Sequence, residues 1–380
     1  MIQHITRRAV QHGPVFIKRA INRAQEEHPQ LQMPTWGAAI LIVTFIVSML
    51  AITLVQYTLT DVLPMLAMVE TPAAAITVSN HDEPASKDEK EGLLETGTEI
   101  TLVHQKPITS SIRATIRHLT AEAGKFARWR GFRYQMIYAL ALGWTTTLLE
   151  AFFPHFFPIR TVVIAAIAGA ATANLHAAWT LKVISTPSDV SFWSRIPSRK
   201  QWKALALPAA VAATMPHISL FLSMGFISWF GLERETRRND FAAYNGGQWA
   251  SFILRWVAVV AISVCCTLFL CMPAVVTQIR VEASILPEEQ DTIVPFDRTF
   301  GGKVVSKILG GTGCVSFMDA WRSFNWEARR RLIKLYIKGF MCIAALAFVL
   351  VHVLAFEVFA IMGPEVGKFL AKAHREGVQF

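Results

Sequence analysis

Six ionisable residues stand inside or at the edges of long apolar runs: Glu150, His176, His217, Arg255, His352 and Glu357. A charge at the centre of a bilayer costs about 3 kcal/mol even on insertion scales, so such groups pair, line a polar cavity or meet an ionic solute. The acids suit cations, and the histidines suit proton movement because imidazole titrates near neutrality. A plainer role competes with this one. Glu150 and Glu357 can snorkel to the interface, and each histidine can bond a nearby carbonyl. Asn174 and His176, two residues apart on an Ala-rich run, make the better case for a polar cavity. With His217 and Arg255 they are the candidate solute-binding set.

Other motifs fall short of a reaction. IVPFDRTFGGK at 293–303 offers the pair Asp297–Arg298 and the turn Gly301–Gly302, suited to a partner or a phosphate. It lacks the further glycine and the Ser/Thr after lysine that a phosphate loop needs, and GGTG at 310–313 fails likewise, so both read as turns. H-E-x-x-H, G-x-S-x-G and paired D-x-x-D patterns are absent. No catalytic residue, metal-ligand set or cofactor is expected. The five cysteines, Cys265, Cys266, Cys271, Cys314 and Cys342, form no C-x-x-C pair and read as small buried apolar side chains.

The elements that must carry these residues are membrane helices. Of the 380 residues 53% are hydrophobic and 17% charged, against about 25% charged in a soluble domain. The deficit gathers in runs long enough to span a bilayer, which takes roughly 20 apolar residues. The net charge of +10 flanks those runs, which points to anionic lipid headgroups rather than nucleic acid. Residues 1–34 form a basic N-terminal segment, with an amphipathic helix over 3–24 that suits a mitochondrial address or an interfacial position. The first span runs from Thr35 to Leu59, with an apolar tail to Val69 beyond Asp61 and Pro64. The acidic stretch that follows, 70–100, reads as a loop, and 108–130 as an amphipathic helix.

Five further spans are expected: Tyr134–Phe153, Ile159–Ile184, one within Ala204–Leu232 shortened or kinked by Pro208 and Pro216, Ser251–Thr277, and Gly339–Met362. PHFFP at 154–158 makes a tight connection, and a helix is expected over Phe317–Lys338. The fold class is thus an all-α bundle of about six membrane helices in three pairs: 35–153 with loop 70–133, 159–232 with loop 185–203, and 251–362 with loop 278–338. A polar tail, 363–380, follows. The three long connections carry nine, four and ten Lys or Arg, against five, three, none and three for the termini and the other two connections. That bias puts the long connections on the positive side and both termini on the other.

The pairs look like repeats. Their returning helices are entered by FARWRGFRYQ (126–135), SRKQWKALAL (198–207) and RRRLIKLYIKGF (329–340), and internal repetition is a strong organisational signal. The layout resembles the mitochondrial carrier family, with three two-helix repeats, both termini on one side and three basic connections on the other. That family ends its odd helices with a proline, an acid two residues on, a cation five on and often an arginine seven on. MPAVVTQIR supplies Pro273 and Arg280, with Val275 and Gln278 where the acid and cation would stand. The third span offers His176 and Lys182 without the proline, and the first only Pro64. The aromatic–acid pair closing the even helices is matched by Phe356–Glu357, while Leu149–Glu150 and Leu232–Glu233 keep only the acid.

The resemblance implies a carrier-like solute transporter in a mitochondrial membrane rather than the endoplasmic reticulum. It makes Glu150, Glu233, Pro273, Arg280 and Glu357 gate or helix-end candidates. The degraded gate and the large basic loops leave open a second reading, a scaffold or adaptor that docks partners through Asp297, Arg298, Arg329, Arg330 and Arg331. Scattered histidines support a membrane enzyme least. The expected partners are the bilayer, its anionic lipids and a small solute.

Overall fold

The computed structural model of the chain describes residues 34–71, 74–78, 100–104, 106–154, 159–238, 241, 244–304 and 313–375. The expectations for 3–24, 80–98 and PHFFP beyond Pro154 lie outside them. The described residues are mainly helical: α1 Thr35–Gln56, α2 Leu63–Val69, α3 Ile112–Ala123, α4 Phe132–Phe152, α5 Arg160–Ile184, α6 Arg199–Trp229, α7 Leu232–Arg238, α8 Gly246–Cys266, α9 Met272–Ser284, α10 Phe317–Arg322 and α11 Trp326–Arg375. One antiparallel strand pair, β1 Ala74–Val78 and β2 Ile100–His104, pairs Ile76 with Leu102. These strands fall within or beside the stretch expected to be loop. Their β-branched Ile, Thr and Val are residues that pack well on a pleated surface.

Five helical stretches are long and apolar enough to cross a membrane: 35–69, 160–184, 199–229, 246–284 and 326–363. The chain is a multi-pass membrane protein by that measure. The sixth expected span, α4, has 21 residues, about 31 Å at 1.5 Å per residue. Met136, Ile137, Leu140, Trp144 and Phe152 are exposed along it. Arg133, Gln135, the Thr145–Thr147 run and Glu150 dilute its apolar character, and it falls outside the five. Ile42, Val43, Phe45 and Ile46 on α1, and Ile253, Leu254, Val257 and Val260 on α8, are also exposed, as lipid contact requires.

Two helices are interrupted in the same way. A π segment, Tyr57–Val62, joins α1 to α2, and another, Thr267–Cys271, joins α8 to α9. Each is followed after one residue by a proline, Pro64 or Pro273, in the first turn of the next helix. Proline lacks an N–H and its ring crowds the carbonyl four residues back; the wider π turn makes room for it. By contrast α6 runs unbroken through Pro208 and Pro216 for 31 residues, so those prolines do not end it.

Two compact units divide the chain, 1–55 with 341–380, and 56–340. In the smaller, a Cβ on Gly37 would fall 2.5 Å from Ile361, and Thr44 Oγ1 donates to Glu357 Oε1 at 3.0 Å. In the larger, the core gathers where α2, α5 and α9 meet. All seven residues of α2 are buried, as are Ala177–Leu181 on α5 and Val276–Ala283 on α9. Gly169 lets α5 lie against α6, for a Cβ there would sit 2.8 Å from Ala209 O, the close approach that small residues permit in lipid.

Residues 278–284, expected in a loop, are the last turns of α9. The helix expected over Phe317–Lys338 is split at Ser323–Asn325 into α10 and the start of α11. The expected tail continues α11 to Arg375. None of the five cysteines is buried and none is in a disulfide among the described residues: Cys265 and Cys342 are exposed and the rest intermediate. Within the apolar runs an outward-facing thiol costs little, because cysteine behaves there as a small hydrophobe.

Candidate functional site

A buried ionisable site in the larger unit centres on Glu282, near the end of α9. Glu282 is 1% exposed. Its Oε1 lies 2.7 Å from His176 Nδ1 and accepts from Gln278 Nε2 at 2.9 Å; its Oε2 lies 2.9 Å from the same Nδ1 and accepts from Thr180 Oγ1 at 2.5 Å. An ionised carboxylate only accepts, so the His176 proton belongs on Nδ1. Helical spacing aligns the donors. His176 and Thr180 are four apart on α5, and Gln278 and Glu282 four apart on α9, so each pair shares a face.

Aromatic rings wall the pair. Tyr138 of α4 meets His176 edge-on at 4.9 Å, and Trp179 meets it at 5.2 Å. Trp179 Nε1 donates to Tyr57 Oη at 3.0 Å, and Tyr57 donates to Arg130 O at 2.6 Å. Tyr57 belongs to the first π segment, which also carries Asp61, within electrostatic range of His176. Groups from α4, α5, α9 and a helix break therefore converge. A sealed, hydrogen-bonded acid–imidazole pair can hold or pass a proton or bind a cation.

A second pattern surrounds this site: arginines bonded to helix-end carbonyls. The last turn of a helix leaves four carbonyls without an internal partner. Arg280 donates to Met68 O at the end of α2, to Ala320 O of α10 and to Ser323 Oγ, and stacks against Phe300 and Phe324. Arg331 donates to Ala67 O and Glu70 O and pairs with Glu70 at 3.3 Å. Glu70 also accepts from the amides of Ile108 and Thr109 and from Thr109 Oγ1. Arg130 donates to Lys182 O in the last turn of α5 and to Ser185 O and Thr186 O just beyond it. Its burial draws the guanidinium pKa down to about 10, with Arg195 adding repulsion.

The sequence candidates separate accordingly. His176 is in the Glu282 site. Asn174 Nδ2 donates to Pro197 O at 3.2 Å. Arg255 pairs with Glu235 at 2.9 Å and caps α6 through Phe230 O, and His217 is half-buried on α6. Asn174, His176 and Arg255 thus have separate partners.

The gate candidates are likewise dispersed. Glu233 pairs with Arg237 four residues on, Glu150 is exposed, Glu357 accepts from Thr44, Pro273 follows the second π segment, and Arg280 caps α2. His352 Nδ1 bonds Phe348 O at 2.7 Å, the plain helical arrangement.

Most partner candidates are also internally engaged. Asp297 accepts from the amides of Thr299 and Gly301 and from Thr299 Oγ1. Burial works against its charge, but those three donors and Arg280 hold its carboxyl below the usual range. Arg298 donates to Pro287 O and Gln290 O. Arg329 stacks on Trp321 at 3.9 Å and donates to Phe324 O. Arg330 alone of the basic trio is exposed.

Thr180, Tyr57, Tyr138 and Asp61 were missed because their partners lie on distant segments, and Gln278 and Glu282 because the fifth span was expected to close at Thr277. The signal available was the absence of any turn residue between Pro273 and Ser284. No protein-family model matches this chain, and no curated protein matches it either.

Proposed function

We propose that this multi-pass membrane protein is a carrier-like solute transporter whose coupling site is the His176–Glu282 pair. The observation that supports it is convergence. Tyr57 and Tyr138 come from the first helix pair, His176 and Thr180 from the second, and Gln278 and Glu282 from the third. Transporters place substrate and ion sites near the midplane at repeat interfaces, beside interrupted helices. Here one helix interruption supplies Tyr57 to the wall of the cluster and the other leads into α9, which carries Glu282. On this reading six helices span in three pairs, α4 included, with the long basic connections on one side.

A substrate-free experiment tests it. The native cysteines are replaced by serine, Thr180→Cys is introduced, and impermeant thiol reagents are applied to each side of sealed vesicles. Alternating access requires slow labelling from both sides. Labelling from neither side defeats transport.

The second reading, a non-transporting scaffold, is favoured by one observation. Arg330, Lys334 and Lys338 are exposed on the basic connection and form no ion pair among the described residues. Joint alanine replacement of Arg329, Arg330 and Arg331 that abolishes partner recovery and cellular activity, while His176→Ala leaves both intact, selects this reading.

A further inference from the structure

We infer that the groove between Pro107–Ile112 and the first turns of α11 is a phosphoryl-group site filled by the headgroup of an anionic phospholipid. The inference does not rest on the transporter reading, and it assigns to a lipid the cations that the scaffold reading offers to a partner.

The groove encloses about 330 Å³, within the range of small-ligand sites. Arg330, Lys334 and Lys338 line it at spacings of four, which put them on one face of the helix. Their charges are uncompensated by any carboxylate partner among the described residues. Glu327 lines the groove too, one turn from Arg330 and close enough to act on Arg331, but it lies 11 residues from Lys338, about 16 Å along the helix, so four cations face one acid there. Arg331 also lines it, its side chain 10% exposed, and its Nε is buried without a hydrogen-bond partner. The opposite wall includes Ser110 and Ile112. There α3 begins with Ser111 making no side-chain cap bond, so its first amides stay outside the helix ladder. Cations on one wall and uncapped helix amides on the other together suit a phosphoryl group.

The position favours a lipid over a free anion. Ile337 and Phe340 flank Lys338 on α11 and are 58% and 70% exposed. Apolar side chains this exposed on a membrane-spanning helix meet acyl chains, so Lys338 stands at headgroup depth and the groove runs from there toward Arg330. Basic clusters beside a span bind anionic lipid in this manner.

Native mass spectrometry of the full chain in mild detergent, with equal phosphatidate and phosphatidylcholine, tests the site. The unaltered chain should carry about five-fold more phosphatidate. Joint replacement Arg330→Gln, Lys334→Gln and Lys338→Gln should bring the ratio near unity. Ser110→Glu, which leaves those cations in place and adds a repelling charge opposite, should lower it as well. Retention of the preference in both variants, at unchanged thermal stability, overturns the site. Displacement of phosphatidate by millimolar inorganic phosphate as readily as by added phosphatidate overturns the lipid source.

Discussion

Replacing Glu282 by alanine removes one carboxylate and strands three donors. His176, Thr180 and Gln278 all point at that group, and its 1% exposure leaves no water to substitute. Breaking a buried pair by deleting one partner costs about 3–5 kcal/mol, and that is the expected loss for Glu282→Ala. Glu282→Gln keeps the shape and one acceptor oxygen but turns an amide NH2 toward donors. It should cost about 1–3 kcal/mol, the penalty of one unsatisfied polar contact. The informative variant removes both partners. His176→Phe with Glu282→Leu leaves no uncompensated charge, and apolar replacement of a whole buried pair is often close to neutral. The double variant should therefore be more stable than Glu282→Leu alone, with a coupling of about 2 kcal/mol. Reversible unfolding of the purified protein in mixed detergent micelles measures these variants, with His176→Phe alone completing the cycle. Single and double changes that add within about 0.5 kcal/mol would refute the claim that these groups form one unit. Under the transport reading the double variant should fold and carry nothing, which separates architecture from activity.

Arg280→Lys should cost about 2–4 kcal/mol by thermal unfolding, because one ammonium cannot replace a fork that reaches Met68 O, Ala320 O and Ser323 at once. Gly169→Ala should lose about 1–3 kcal/mol through overpacking, with its methyl 2.6 Å from Ala213 Cβ; an unchanged midpoint would show that α5 and α6 do not approach so closely. The Asp297 turn should be acid-sensitive. Its carboxyl titrates below the normal value in the folded chain, so its contribution is complete above the unfolded pKa near 4 and fades as pH falls through the lower folded value. Amide exchange at 299 and 301 reads this, and Asp297→Asn should remove the dependence. Single cysteines at positions 85, 193 and 303, the last two exposed, should react from one side of the membrane and those at 5 and 375 from the other; reaction of all five from one side contradicts the proposed topology.

The helices were legible because hydropathy is a local property. Thr35–Gln56, Arg160–Ile184 and Phe132–Phe152 match the expected runs closely, since absence of charge and helical length need no tertiary knowledge. The site was less legible, because its logic is pairwise between distant segments. His176 stands out in an Ala-rich run, but nothing local says that its acid lies 106 residues on. The arginines misled for the same reason. Arg280, Arg329 and Arg331 read as gate or docking cations, whereas their guanidiniums are turned to carbonyls inside the fold. Carbonyls at helix ends are invisible in a sequence, since every residue has one. The end of the fifth span failed differently: it was expected at Thr277, whereas the helix that carries Pro273 after the π turn runs on to Ser284.

The remote capping of α2 has a consequence for biogenesis. The carbonyls of Ala67 and Met68 wait for guanidiniums that lie 264 and 212 residues later in the chain. A ribosome adding about 5–20 residues per second needs on the order of ten seconds or more to deliver them. Until then the first helix ends in unmet carbonyls, and Glu70 lacks the cation that neutralises it. Nascent chains arrested before residue 280 should therefore be recognised as unfinished by membrane quality control and turned over quickly. Extension past residue 331 should bring the first persistence. The C-terminal third thus acts as a checkpoint on the N-terminal helix, and truncation from that end should cost the whole protein rather than its last helix alone.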